Sequence, residues 1–260
     1  MGNECCRIIG LLGVPNSGKT ACLVSLYLLL SHDQMSEYSF ADSRSLLALD
    51  ELARGARRWQ SDIPKQMTAR TERDDDRFPG FMHLKLHKKG SNGQINLLVP
   101  DLPGEWTDSL VDQNRADRLS FIRGADHIWV MVNGKELIAK KHRLTTIHRT
   151  CLIIGRIAEL CNPNIPPIRL VVSHADYGKP DIRRLGELKE YASRRGITLP
   201  VNSIASFSKS EDVKPGLGIA ELLADTMQVV SPEVEFWPEA VGGLPGMRNA
   251  LRIGSPGVFV

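Results

Sequence analysis

One octapeptide constrains this chain more than any other feature. Gly13-Val14-Pro15-Asn16-Ser17-Gly18-Lys19-Thr20 satisfies G-x-x-x-x-G-K-[ST] at every fixed position. The motif carries meaning only between a strand and a helix. Ahead of it lies the short apolar run Cys6-Arg7-Ile8-Ile9-Gly10-Leu11-Leu12, and behind it Ala21-Cys22-Leu23-Val24-Ser25-Leu26-Tyr27-Leu28-Leu29-Leu30 has helical length. The two glycines let backbone N–H groups turn inward around a phosphate, and the helix N-terminus adds the positive end of its dipole. Lys19 brings a point charge to the outer phosphates, and the Thr20 hydroxyl is a hard ligand for Mg²⁺. Gly13, Asn16, Ser17, Gly18, Lys19, Thr20 and Ala21 therefore form the expected phosphate-binding set. A chain with this segment is expected to bind a nucleoside triphosphate.

The remaining pattern places that segment in an alternating α/β chain. Residues 31–80 read as a polar insertion with a helical stretch at 42–54 and, from 60 to 80, an aperiodic loop with the acidic run Asp74-Asp75-Asp76. Residues 81–87 and 94–100 alternate around a Gly/Asn-rich turn and read as a hairpin. There follow a short helix near 107–120, a buried strand at 127–133, a long helix over 135–161, a strand at 168–173 and a charged helix near 181–195. A last strand at 199–204 and a last helix at 216–230 complete the pattern. Strands alternating with helices predict a mostly parallel, doubly wound sheet with one antiparallel hairpin edge. Residues 1–230 are expected to form this unit, with 231–260, rich in Pro and Gly, an irregular tail that packs locally or docks on a partner.

Composition excludes more than it selects. A net charge of +3 on 260 residues is too small to argue for nucleic acid or a membrane surface. No apolar run reaches the roughly 18 residues of a membrane span. Met1-Gly2-Asn3-Glu4-Cys5-Cys6 departs from an acylation signal at residue 6, and an unmodified N-terminus is the favoured reading. Cys5, Cys6, Cys22, Cys151 and Cys161 have no metal-ligand spacing and read as reduced, buried thiols of a cytoplasmic protein.

Three further motifs narrow the nucleotide. Asp101-Leu102-Pro103-Gly104 follows a strand, where the Asp reaches the Mg²⁺ shell and the Gly offers its N–H to a γ-phosphate. The simpler reading is a plain turn. Ser173-His174-Ala175-Asp176 follows another strand; a carboxylate there accepts from N1–H and the amino group of guanine, a pairing adenine does not offer. Its simpler reading is a helix cap. Ile204-Ala205-Ser206 stands where a loop amide, that of Ala205, meets guanine O6. Between the first helix and the hairpin a threonine is needed to sense Mg²⁺ and the γ-phosphate; Thr68 is preferred over Thr71.

Together these residues resemble the P-loop NTPase fold and, within it, the translation-factor-related and Ras-like GTPases, over roughly residues 5–230. The insertion with Leu49-Asp50-Glu51-Leu52-Ala53, joined to Asp101-Leu102-Pro103-Gly104-Glu105-Trp106, resembles the bacterial double-GTPase group, whose members are associated with multi-gene conflict or defence systems. The resemblance implies GTP or GDP with Mg²⁺ as cofactors. It gives Lys19 to the phosphates, Thr20, Asp101 and Thr68 to the metal, Gly104 to the γ-phosphate, and His174, Asp176 and Ala205 to the base. Glu105 stands where many members carry a water-orienting Gln, which implies hydrolysis that is slow or that waits for a protein partner, an effector or activator. Arg70 and Arg73 lie in the first switch loop, where a solvated surface charge is the plainer role, and Trp106 beside the second switch reads equally as a reporter or a core aromatic. Residues 60–80 and 104–118 would order around the γ-phosphate and relax after hydrolysis. Two other classes stay open: an ATPase or kinase-like enzyme sharing only the phosphate loop, and a non-hydrolysing nucleotide-binding interaction module.

Overall fold

Seven strands line up in the order β2-β3-β4-β1-β5-β6-β7 in the computed structural model, which describes residues 4–57, 80–208 and 210–228. β1 (Glu4–Leu12) runs parallel to both β4 (Gln94–Asp101) and β5 (His127–Asn133), and β6 (Ile168–Ser173) and β7 (Val201–Ser203) continue the parallel half. β3 (Gly80–Lys88) pairs antiparallel with β4, which is the expected hairpin. The architecture is an α/β P-loop NTPase fold.

An additional edge strand lies beyond the hairpin. β2 (Tyr38–Asp42) pairs antiparallel with β3, inside a segment whose sequence reads as polar insertion. Two side chains account for its stability: Tyr38 is buried, and Phe40 packs edge-on against Tyr27 at 6.5 Å. Five residues with a register shift give too little alternation to stand out. α2 (Leu46–Arg57) then starts later than the periodicity indicates, because Ser43 and Ser45 bond to the backbone of β3 rather than entering the helix.

The sheet separates two cores. β5 is buried along its whole length, with Ile128, Val130 and Val132 on one face and Trp129 and Met131 on the other. The first face packs against α3 (Gly104–Gln113), α5 (Arg143–Cys161) and α6 (Ile182–Ser193). The second packs against α1 (Lys19–Ser31), α2 and α7 (Ile219–Gln228). Burial on both faces explains why β5 and β6 read as continuous apolar runs. Each such side chain removed from water stabilises the fold by about 1.5–3 kcal/mol.

Two helices differ from the sequence reading. The stretch 135–161 is broken into α4 (Gly134–Ile138) and α5, because Ala139 turns extended and the Arg143 guanidinium caps the Ile138 carbonyl at 3.1 Å. The helix expected near 107–120 starts at Gly104, ends at Asn114 in a left-handed conformation, and gives way to a 3₁₀ segment over Asp117–Gly124. Cys22 and Cys161 are buried as expected, but Cys5 and Cys6 are exposed at the start of β1. No helix among the described residues is long and apolar enough to cross a membrane. Thr68, Thr71, Arg70, Arg73, most of the 60–80 loop and the tail 231–260 lie outside the described residues.

Candidate nucleotide-binding site

Because the chain crosses from β4 to β5 over the central β1, the C-terminal ends of β1, β4, β5, β6 and β7 share one edge of the sheet, which is where open α/β sheets form ligand crevices. Every motif residue of the described chain follows one of those strand ends. The phosphate loop leaves β1, turns through Asn16 at φ 62 and Gly18 at φ 93, and enters α1 at Lys19. Gly18 is the N-cap and no side chain caps the helix, so the amides of Lys19, Thr20 and Ala21 point out of the first turn with no intrahelical acceptor. A nest of unsatisfied N–H groups at a dipole's positive end selects an anion. The Ser17 hydroxyl beneath it is fully buried and has no hydrogen-bond partner among the described residues.

Lys19 folds back over this nest. Its Nζ donates to the carbonyls of Gly13 at 2.7 Å and Val14 at 3.3 Å, and the side chain is buried. Desolvation pulls its pKa from 10.5 down to about 8, against the opposing charges of Asp101, Glu105 and Asp108. The Thr20 hydroxyl donates to Asp101 Oδ1 at 3.2 Å, so the end of β4 and the start of α1 present a hydroxyl and a carboxylate together. Those are hard oxygen donors suited to Mg²⁺, which binds through one or two such groups plus substrate phosphates. Among the described residues no cluster of three or more His, Cys, Asp or Glu forms a self-sufficient metal cage.

The D-x-x-G segment is fastened to the phosphate loop. A Cβ on Gly104 would lie 2.5 Å from the Pro15 nitrogen, so only glycine permits this approach. Thr107 Oγ1 accepts the Gly13 N–H at 3.3 Å. Farther along α3, Asp108 and Asp112 both bind the Arg149 guanidinium of α5, at 2.7 and 3.2 Å. Glu105 sits half-buried in the first turn of α3, and Trp106 is buried in the core with the Arg118 guanidinium 5.3 Å from its ring centroid. Sequence reading missed two braces. Asn133 at the end of β5 donates to the Asn16 carbonyl at 3.1 Å, and the Thr107 contact joins α3 to the loop. Neither belongs to a contiguous motif, so only the fold brings them to the loop.

At the other end of the crevice, β6 ends in Ser173, whose hydroxyl bonds the Val132 carbonyl and lies 2.7 Å from His174 Nδ1. His174 adopts φ 58, which turns the chain into a 3₁₀ turn carrying Asp176 and Tyr177. Burial, helped by the Lys135 ammonium and opposed by Asp176, holds the His174 pKa below its usual value. Asp176 Oδ1 is buried with no hydrogen-bond partner among the described residues. A buried carboxylate oxygen without a donor is costly unless something supplies one. Ala205, expected to present its amide to guanine O6, instead donates that N–H to Leu217 at 3.0 Å in a short bridge between the β7–α7 loop and its own return. That amide is spent on holding the loop and does not face the crevice as a free donor.

The family comparison agrees with this geometry. The model of the family described as Double-GTPase 2 matches residues 7–227, which span the phosphate loop, D-x-x-G and Asp176. A search of curated proteins finds no match. A match over most of the chain, on a sheet with this strand order and this loop, places the protein among the P-loop GTPases of the double-GTPase group, as a member of the Double-GTPase 2 family.

Proposed function

We propose that the chain is a Mg²⁺-dependent guanine-nucleotide switch that hydrolyses GTP to GDP. The observation that carries the guanine assignment is Asp176 Oδ1, a buried acceptor with no donor from the described protein. N1–H and the exocyclic amine of guanine are adjacent donors that match a carboxylate, whereas adenine offers an acceptor at the equivalent ring nitrogen. Support at the phosphate end is the uncapped first turn of α1, the buried Ser17 hydroxyl and the pairing of Thr20 with Asp101.

In this reading Lys19 exchanges the Gly13 and Val14 carbonyls for phosphate oxygens, regaining the charge partner that its burial demands. Thr20 and Asp101 hold the Mg²⁺, which when bound neutralises charge on the terminal phosphates. Thr68 is the proposed third metal and γ-phosphate contact. Gly104 donates its amide toward the γ-phosphate, and Glu105 accepts a proton from the attacking water or orients it. Because Gly104 rests on Pro15 and Thr107 binds Gly13, a change at the terminal phosphate passes directly into α3, and through Asp108 and Asp112 to Arg149 on α5. Such coupling suits a switch read by a protein partner in the cytoplasm, in a multi-protein system of the conflict or defence kind. Residues 1–230 act as the GTPase unit.

The deciding experiment is equilibrium binding of labelled GTP with Mg²⁺, competed by GTP, GDP and ATP, followed by single-turnover hydrolysis. Competition by GTP and GDP but not ATP is expected. Competition by ATP would reduce residues 173–176 to a helix cap, and guanine binding without turnover, with or without partner proteins, would leave an interaction module.

A further inference from the structure

The base end of the crevice carries a cation that no motif predicts. β5 ends in Asn133-Gly134-Lys135, and Asn133 caps α4 by accepting the Lys135 N–H at 3.1 Å. A Cβ on Gly134 would lie 2.1 Å from the Ser173 carbonyl, so the start of α4 presses directly on the end of β6. This contact delivers Lys135 across the turn that follows β6. Its Nζ stands 3.7 Å from the centroid of the Tyr177 ring, and His174 meets the same ring edge-on at 6.2 Å. Tyr177 is half exposed and follows Asp176, whose Oδ1 has no donor among the described residues, so the pair stands on the turn that carries Asp176 rather than filling a core.

We propose that Lys135 and Tyr177 form a cation–π wall of the base pocket and that Lys135 is a specificity-determining residue for the guanine nucleotide. The proposal rests on the guanine reading above and names the group that completes it. His174 does not fill this role: its Nδ1 is engaged with the Ser173 hydroxyl, and its backbone is held left-handed at φ 58. Ala205 does not either, since its amide is bonded to Leu217. Lys135 supplies what both lack, a mobile charge for the acceptor edge of the base and a four-carbon stem that lies against a planar ring. Tyr177 holds the ammonium over its ring face. The arrangement answers a purine whose donor edge is met by Asp176.

The test uses the full chain with Lys135→Met, Lys135→Arg, Tyr177→Ala and Asp176→Asn. Each is titrated with GDP, ADP, xanthosine diphosphate and pyrophosphate in Mg²⁺. Lys135→Met is expected to weaken GDP by about tenfold, the lower end for a lost hydrogen bond to a charged group, and Tyr177→Ala, which releases that charge, to weaken it in the same direction. Pyrophosphate binding should stay unchanged, which also certifies the fold of each variant, and Lys135→Arg should restore most of the loss. Unchanged GDP affinity in both Lys135→Met and Tyr177→Ala, with Asp176→Asn still trading guanine for xanthine, overturns the proposal and leaves the guanine reading intact. Equal affinity of the unaltered chain for GDP and ADP overturns both. Parallel losses of GDP and pyrophosphate overturn it too, since they assign Lys135 to folding rather than to the base.

Discussion

At the phosphate end of the proposed site Lys19, the Thr20 hydroxyl and the Gly13 amide have protein partners and the Ser17 hydroxyl has none, whereas at the base end the Asp176 Oδ1 has no donor among the described residues. Lys19 rests on two carbonyls, Thr20 on Asp101 and Gly13 on Thr107. Asp176 Oδ1 waits beside a turn assembled from the ends of three strands. The difference follows from the ligand. Phosphates are alike in every nucleotide, so a single preformed loop of backbone amides and one lysine serves them all. A base is read by groups fixed at angles to one another, and these come from separate loops that only the fold brings together. In the proposed reading the phosphate end is general and the base end carries the selectivity.

Lys19→Met breaks the phosphate end most severely. Nucleotide affinity is expected to fall by roughly 100-fold or more, alike for GTP, GDP and ATP, because a charge-assisted phosphate contact is removed. The same substitution should stabilise the nucleotide-free protein. Burial lowers the Lys19 pKa from 10.5 to about 8, so the folded state carries the full cost of the charged form at pH 7 and sheds it as pH rises from about 8 toward 10.5. A shift of that size is worth about 3 kcal/mol, offset by two lost hydrogen bonds of about 1 kcal/mol each. Urea unfolding at pH 7 should show a small gain that disappears near pH 10.5. A loss at pH 7 would mean that the lysine braces the empty loop instead of straining it.

Asp176→Asn addresses the base end alone. Preference for GDP over ADP should drop by about 100-fold while pyrophosphate affinity holds, and xanthosine diphosphate, which has a carbonyl where guanine has its amine, should gain. If guanine preference survives, selectivity resides elsewhere and the contrast between the two ends dissolves. Asn133→Ala gives a smaller and more uniform effect. It removes the bond to the Asn16 carbonyl, and a neutral buried bond of about 1–1.5 kcal/mol corresponds to about tenfold, equal for all nucleotides because the loop, not the base, is loosened. Competition titrations that find the loss confined to guanine would move Asn133 from the phosphate end to the base end.

The same contrast decides what the sequence reveals. The phosphate loop, D-x-x-G and Asp176 are contiguous strings whose chemistry is local, and β5 and β6 betray themselves by unbroken apolar runs. Asn133, Thr107 and Lys135 carry no such signature, because each acts on a partner 42 to 117 positions away in the chain. Thr107 touches Gly13 from 94 residues on, and Asn133 touches Asn16 from 117. Lys135 looks like any solvated charge until Gly134 is seen against Ser173. β2 escaped for another reason: a five-residue edge strand buried by Tyr38 and propped by Phe40 is too short for alternation to register. The engagement of the Ala205 amide has no sequence signal either, because position after a strand does not reveal that it closes a bridge with Leu217.

The finest test of the base end is a titration. Desolvation, and next to it the Lys135 ammonium, lower the His174 pKa below 6.5, while Asp176 opposes them. His174 is then neutral at pH 7 and above, so guanine preference should be flat from pH 7 to 8. Its neutral form stabilises the fold fully above pH 6.5, and that contribution is lost as pH falls toward the lowered value. Lys135→Met removes one of the two lowering causes, so the imidazole should titrate at higher pH, followed by the His174 ring proton shift in NMR. Tyr177→Ala should move it the same way by less, because a lysine released from the ring spends less time beside the imidazole. If Lys135→Met leaves the His174 titration where it was, the ammonium does not stand over this turn in solution, and the wall it forms with Tyr177 is lost with it.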